Sequence, residues 1–177
     1  MIKNTHERII HAQVSEVGSL IDGLASRDDA LWPATNWPPM RFDRPLRVGA
    51  VGGHGPIRYF IESYEPSRSI TFRFTAPKGF IGTHGLAVEE IAPNVVRLRH
   101  VLTMRVKGLA RLSWPLAFRW LHDALVEDAL DRAEAHFASK PLNKNRWSLW
   151  VRLLRRLMSP RKAVVAARKD GMATARK

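Results

Sequence analysis

The chain has no cysteine among its 177 residues, which excludes disulfide bonds, thiolate nucleophiles and cysteine-ligated metals. It also lacks the run of about 18 uninterrupted apolar residues that a membrane-crossing helix needs. Met1 leads through Lys3 and Asn4 into a polar segment with no apolar stretch of leader type, so no signal peptide is expected. These absences suit a cytoplasmic protein. Catalytic fingerprints are missing as well. The seven histidines form no H-x-x-x-H or HExxH spacing, and His6 and His11, five apart on an extended segment, fall on opposite faces, so no metal is expected. Neither GxGxxG nor GxxxxGK[ST] occurs, and no serine sits in a G-x-S-x-G elbow, so no cofactor is expected. Gly49, Gly52, Gly53 and Gly55 read instead as residues of turns and close backbone approach.

Acidic residues are scarce at one end only. Residues 140–177 hold twelve of the 29 Lys and Arg with Asp170 as the single acid, a balance of +11 that leaves +2 for residues 1–139 out of the total +13. The globular part is therefore nearly neutral, and an electrostatic partner is the business of the extension.

What the sequence has in quantity is alternation. Val96, Leu98, His100, Leu102, Met104 and Val106 lie on one side of a strand whose other side carries Arg97, Arg99, Arg105 and Lys107. Ile70, Phe72 and Phe74 alternate with Thr71, Arg73 and Thr75. Tyr59, Ile61 and Ser63 alternate with Phe60, Glu62 and Tyr64. With Glu7–Ala12, Leu46–Val51 and Thr83–Ile91 these make six strands, and a seventh is sought in Pro39–Asp43 or Pro77–Ile81. Short turns such as Glu65–Arg68 and Pro93–Asn94 predict an antiparallel meander. Val17, Leu20, Ile21 and Leu24 form the stripe of a short helix interrupted by Gly18 and Gly23. A long helix is predicted over Pro115–Ala138, with Phe118, Leu125, Val126, Ala129, Ala133 and Phe137 buried and Asp123, Glu127, Asp131 and Glu134 facing water. The fold class is α+β, with each element's apolar face covered by the other.

Four segments carry a resemblance: Leu46–Gly49, Ile61–Pro66, Gly82–Gly85 and Val95–His100. In their order along the chain, over about residues 5–138, they resemble the START-like, or polyketide cyclase/dehydrase and lipid-transport (SRPBCC), superfamily. That resemblance implies a helix-grip fold, in which a curved antiparallel sheet wraps a long C-terminal helix around a cavity. Members include binders of hydrophobic ligands, aromatic-polyketide cyclases and chaperone activators, so a carrier, a cyclase or dehydratase acting on a polyketide-like carbonyl compound, and a ligand-free interaction module all remain open.

Within such a cavity the polar candidates are His84, His100 and His122, with Arg73, Tyr59 and Glu62 as companions. Histidine transfers protons near neutral pH, so His84 and His100 are the candidate catalytic pair, and a neighbouring arginine stabilises developing enolate charge. Each of them also has a bland reading as a hydrogen-bonded structural histidine. Trp32, Trp37, Tyr59, Phe60, Phe72 and Phe74 are read as ligand wall or plain core, with Trp37 an exposed rim residue among prolines.

The extension contains RWSLWVRLLRRLM over 146–158, an amphipathic helix with Trp147, Trp150, Leu153 and Leu157 among its apolar residues and Arg152, Arg155 and Arg156 among its cations. It fits packing on the main domain, a homodimer contact, or an anionic membrane surface that would hold the protein peripherally. After Pro160 the chain turns to Ala, Lys and Arg with little to bury and is expected to be mobile. No base-reading motif accompanies the charge, so sequence-specific nucleic-acid binding is not expected.

Overall fold

The computed structural model describes residues 1–138 and 147–158, so the expected mobile tail lies outside the described residues. The alternating segments join into one seven-stranded sheet, β1 (Ile2–Ile10), β2 (Arg41–Phe42), β3 (Val51–His54), β4 (Ile57–Glu65), β5 (Ser69–Ala76), β6 (Phe80–Ala92) and β7 (Val95–Val106). Its order is β1-β7-β6-β5-β4-β3-β2, and every neighbouring pair is antiparallel. The first strand thus closes on the last, from Ile2 opposite Met104 to Ile10 opposite Val96. The helices are α1 (Val14–Asp22), α2 (Ala110–Ser113), a π-helical turn over Trp114–Phe118, α3 (Arg119–Phe137) and α4 (Leu149–Met158).

The seventh strand is β2, inside the Pro39–Asp43 segment. Leu46–Val51 is not a strand: Gly49 adopts φ 82°, its N–H donates to the carbonyl of Ile61, and pairing with β4 in register begins only at Val51. A left-handed residue bends the chain there because only glycine takes that conformation without a Cβ clash. A register shift between Ile61 and Ser63 turns Ser63 outward and Tyr64 inward, so the strict alternation expected for β4 breaks at the shift. Tyr64 then donates its hydroxyl to Asp22 at 2.8 Å, and the same carboxylate accepts the Ser67 N–H and hydroxyl. Gly18 explains why α1 tolerates a helix-weakening residue at its centre. A Cβ at Gly18 would lie 2.0 Å from the Ser67 carbonyl oxygen, so only glycine lets the helix meet the β4–β5 turn this closely.

The long helical element starts earlier than its sequence pattern, at Ala110, and is not uniform. Pro115 has no N–H to give the preceding turn, and the chain loops out one extra residue, with Arg119 N–H reaching back five residues to the Trp114 carbonyl. In α3 Leu125, Val126, Leu130 and Ala133 are buried.

Candidate functional site

The inner faces of β4 to β7 and the apolar side of α3 do not meet everywhere. Between them lies a cavity of about 830 Å³. Ile57, Phe74, Phe80 and Leu102 wall it from the strands, and Trp114, Phe118, Leu121 and Leu125 from the helices. The π-helical turn matters here, because it places Trp114 and Phe118 edge-on to Phe80 at ring separations of 5.9 and 5.2 Å. Trp37, Pro38 and Pro39 close one side with Gly55 and Pro56, and Arg155 and Met158 of α4 complete the lining. Met158 is 44% exposed, which puts it where the cavity reaches solvent.

Histidines interrupt this apolar wall. His84 on β6 and His122 on α3 line the cavity, and His100 on β7 lies behind them. The Nδ1 of His84 is 3.4 Å from the Nε2 of His100, and the His100 and His122 rings are 5.0 Å apart. The β6–β7 register makes this contact: His84 opposes Leu102 and His100 opposes Leu86, so the two imidazoles are diagonal neighbours on the inner face. Phe74 stacks on His84 at 4.7 Å, and the Tyr59 and Phe72 rings each stand 5.1 Å from it. Burial holds His84 and His100 well below their ordinary pKa, reinforced by repulsion from His122 whenever that ring is protonated, so both are neutral at pH 7. Burial likewise lowers His122 against the opposing pull of Asp123, and takes His54, also in the lining, to about 3. At this corner four buried polar atoms have no hydrogen-bond partner among the described residues: His84 Nε2, His100 Nδ1, His122 Nε2 and the Tyr59 hydroxyl oxygen. A neutral imidazole carries one donor and one acceptor, so this corner offers both kinds of hydrogen bond to an occupant and no net charge.

A second cluster sits on the far side of His122. Asp123 Oδ1 accepts from Asn4 Nδ2 at 3.0 Å and lies 3.2 Å from His6 Nε2 and 3.3 Å from His122 Nδ1, while His6 Nδ1 contacts Glu127 at 2.6 Å. His6, His122 and Asp123 bring three ligand atoms within 4.8 Å of one another, the donor set that could hold a divalent cation. Sequence spacing carried no sign of it, because His6 and Asp123 are 117 residues apart. The cluster is closed by its own hydrogen bonds. The Asp123 hydrogen bond, then the Glu127 bond, raise the pKa of His6 against the cost of burial. For Asp123 burial pushes upward, and the bonds from His122 and His6 overcome it and hold the carboxyl below its usual range.

These shifts give stability a maximum near pH 6.5. His6, raised in the fold, contributes fully below its unfolded value of about 6.5 and loses that contribution as pH rises through the folded value. The lowered His54, His84 and His100 contribute fully above about 6.5 and lose it as pH falls. For His54, at about 3, the loss at pH 5 is about 2 kcal/mol, or roughly 4–8 °C in Tm. Melting curves from pH 8 to 5 should therefore fall steeply on the acid side, and a flat profile below pH 6.5 would show that these imidazoles are solvated.

Neither a family model nor a curated protein sequence matches the chain. Solved structures do. A solution structure from Thermobifida fusca is 13% identical, covers 78% of this chain and 95% of its own, and superposes with a TM-score of 0.59. CalU16 from Micromonospora echinospora is 16% identical over 88% of this chain and 83% of its own, with a TM-score of 0.56. XoxI from Bacillus cereus is 18% identical over 77% and 96%, with a TM-score of 0.58. The chain shares their architecture, a helix-grip fold of antiparallel sheet and long C-terminal helix. At such identities the likeness extends to the architecture and not to an activity.

Within this helix-grip fold the expected site residues separate. Trp37, Phe74, His84 and His122 line the cavity, whereas Tyr59, Phe72 and His100 are buried beside His84. Trp32 is core: its Nε1–H donates to the Pro38 carbonyl at 3.0 Å and its ring packs on His54. Trp37 is not an exposed rim residue, because its Nε1–H donates to Asp128 at 2.7 Å and it is buried against Trp147. Arg73 and Glu62 are corrected outright. They pair with each other on the outer face of the sheet, the side the alternation of β5 already gave to Arg73, and cannot reach the cavity. His54, the last residue of β3, joins the lining as well.

The amphipathic helix of the C-terminal extension packs on the sheet-and-helix body through part of its surface. Val151 and Leu154 are buried, Trp147 Nε1–H donates to Asp128, and the Arg155 guanidinium lies 3.6 Å over the Trp147 ring and 4.7 Å over Trp37 while donating to the Asn36 carbonyl. Trp150 Nε1–H donates to the Leu116 carbonyl at 2.9 Å. Leu153, Leu157, Arg152 and Arg156 are exposed.

Proposed function

We propose that the protein binds a small amphipathic molecule, its hydrocarbon part in the cavity between sheet and α3 and its polar end against His84 and His122. One observation carries this reading: an apolar cavity of about 830 Å³, within the range of small-molecule sites, has unpartnered imidazole nitrogens in its wall. The chemistry of the polar end follows from charge. His84 and His100 are neutral, and no carboxylate lines the cavity among the described residues. An uncharged hydroxyl or ketone can exchange hydrogen bonds with such imidazoles, whereas a carboxylate placed among them would lack a counter-charge there, since the cation of the lining, Arg155, lies on the α4 side over Trp37 and Trp147. The same neutrality disfavours a cyclase or dehydratase, since an imidazole held well below pH 6.5 is a weak base at pH 7.

Native mass spectrometry of freshly purified protein tests for a retained molecule, and Nile red, a neutral ketone-bearing dye, provides a titration. One dye per chain is expected, displaced by 1-dodecanol at least tenfold more effectively than by dodecanoate at pH 7.5. Leu121→Trp with Leu125→Trp narrows the cavity from α3 and is expected to weaken dye binding at least tenfold in a folded protein. Unchanged dye binding in that variant, or preference for dodecanoate, would defeat the proposal.

A further inference from the structure

Two helical surfaces beside the cavity expose large apolar side chains together. Leu109, Leu112, Leu116 and Trp120 run along α2, the π-helical turn and the start of α3, and Leu149, Trp150, Leu153 and Leu157 run along α4. The bond from Trp150 to the Leu116 carbonyl joins the two rows into one face. Gly108, at φ 57°, makes the turn that carries Leu109 outward to 83% exposure. Trp120 Nε1–H donates to the Pro115 carbonyl, so both indoles are fixed by backbone acceptors with much of their rings in solvent. A water-facing surface of this kind is unfavourable unless something covers it.

The charge beside it has one sign. Residues 105–122 and 147–158 hold seven Lys and Arg and no Asp or Glu. Arg111, Arg119, Arg152 and Arg156 are exposed among the leucines. A second copy docking through the same face would set these arginines against their own counterparts, and of the four only Arg119 has a carboxylate beside it among the described residues, Asp123 at 3.8 Å. Nucleic acid would meet the cations but leave the leucines in water. An anionic bilayer satisfies both, taking leucines and indole rings into the acyl boundary and arginines to the headgroups.

We propose that this two-helix face docks the protein on an anionic lipid bilayer. Docking turns the cavity opening toward the lipid, because Met158 of α4 is at once part of the exposed set and part of the cavity lining. Loading of a lipid-derived molecule from the bilayer is a consequence that rests on the cavity reading above; docking does not.

The test is flotation of the full chain with vesicles of phosphatidylcholine alone or with about one-third phosphatidylglycerol. Binding is expected only to the anionic vesicles. Each arginine near such a surface contributes about fivefold in partitioning, so Arg152→Ala with Arg156→Ala should weaken binding about 25-fold. Leu112→Ser, Leu116→Ser and Leu153→Ser together should abolish it while Nile red binding is retained, which separates failure of docking from failure of the cavity reading. Equal binding to both vesicle types would overturn the proposal. So would unchanged binding of the triple serine variant, the result expected if the basic residues after Met158 did the work alone. Self-association lost in that variant, without vesicle binding in the parent, would assign the face to a second copy and overturn it too.

Discussion

Replacing both His84 and His100 with leucine is expected to make the protein more stable and less selective. Each of the two imidazoles has a buried nitrogen with no partner, His84 Nε2 and His100 Nδ1, and an unsatisfied buried polar group costs about 1–3 kcal/mol. The compensation between them is slight, a single contact at 3.4 Å. Leucine is close to histidine in volume and suits a site flanked by Phe72, Phe74 and Tyr59. Urea denaturation at pH 7 should therefore show a gain of about 2–4 kcal/mol. The acid-side loss of stability should shrink in the same variant, because two of the groups that resist protonation are gone. The cost falls on recognition. A wall with fewer hydrogen-bonding groups should still take Nile red, yet it should lose much of its preference for 1-dodecanol over dodecane of similar length. A destabilised double variant would mean that the imidazoles are satisfied in solution, and the proposal of a waiting polar corner would fall with it. A protein that keeps such groups at the expense of stability is trading it for function.

The histidine pair was within reach of the sequence because hairpin geometry is simple. Folding β6 onto β7 about Pro93–Asn94 brings His84 opposite Leu102 and His100 opposite Leu86, and two-residue periodicity puts both rings inward. The same periodicity had already placed Arg73 outside with Thr71 and Thr75, and there it pairs with Glu62. Chemistry had argued for arginine near a developing negative charge, and the pleat overruled it. Trp37 was out of reach for a different reason. Its burial depends on Asp128 of α3, Trp147 and Arg155, three groups from 91 to 118 positions away that no local pattern connects to a proline-rich loop. His54 entered the cavity lining because β3 starts only after the bend at Gly49, a conformational switch that the apolar run Leu46–Val51 conceals. Local alternation thus specified faces well, whereas contacts between remote loops and helices had no local signal.

The acidic stripe of α3 is the sharpest example, and Arg8→Ala is the variant that exposes its role. Asp123, Glu127, Asp131 and Glu134 follow helical spacing and read as a solvated face, but they lie over β1. Asn4, His6 and Arg8 alternate on β1 with the same phase as the inward Ile10, so a polar side of the strand meets a polar side of the helix. Arg8 bonds Glu127 at 2.9 Å, also bonds Asp131, and contacts Glu134 at 3.2 Å. It is the guanidinium on which these three carboxylates converge. Burial, then the neighbouring Glu127 and Glu134 charges, raise the Asp131 pKa even with Arg8 opposing them. Removing the guanidinium leaves that repulsion uncompensated in a half-buried seam, at an expected cost of about 2–4 kcal/mol at pH 7, toward the lower end of values for broken buried pairs. The loss should be pH-dependent in a defined sense. Without Arg8 the Asp131 pKa rises further above its unfolded value, so stability returns as pH falls and Asp131 takes up a proton. The difference between variant and parent should narrow from pH 7 to pH 4, even though both are losing stability through their buried histidines over the same range. A difference that stays constant would mean that Arg8 holds β1 to α3 through the packing of its alkyl stem, and that the carboxylates are solvated after all.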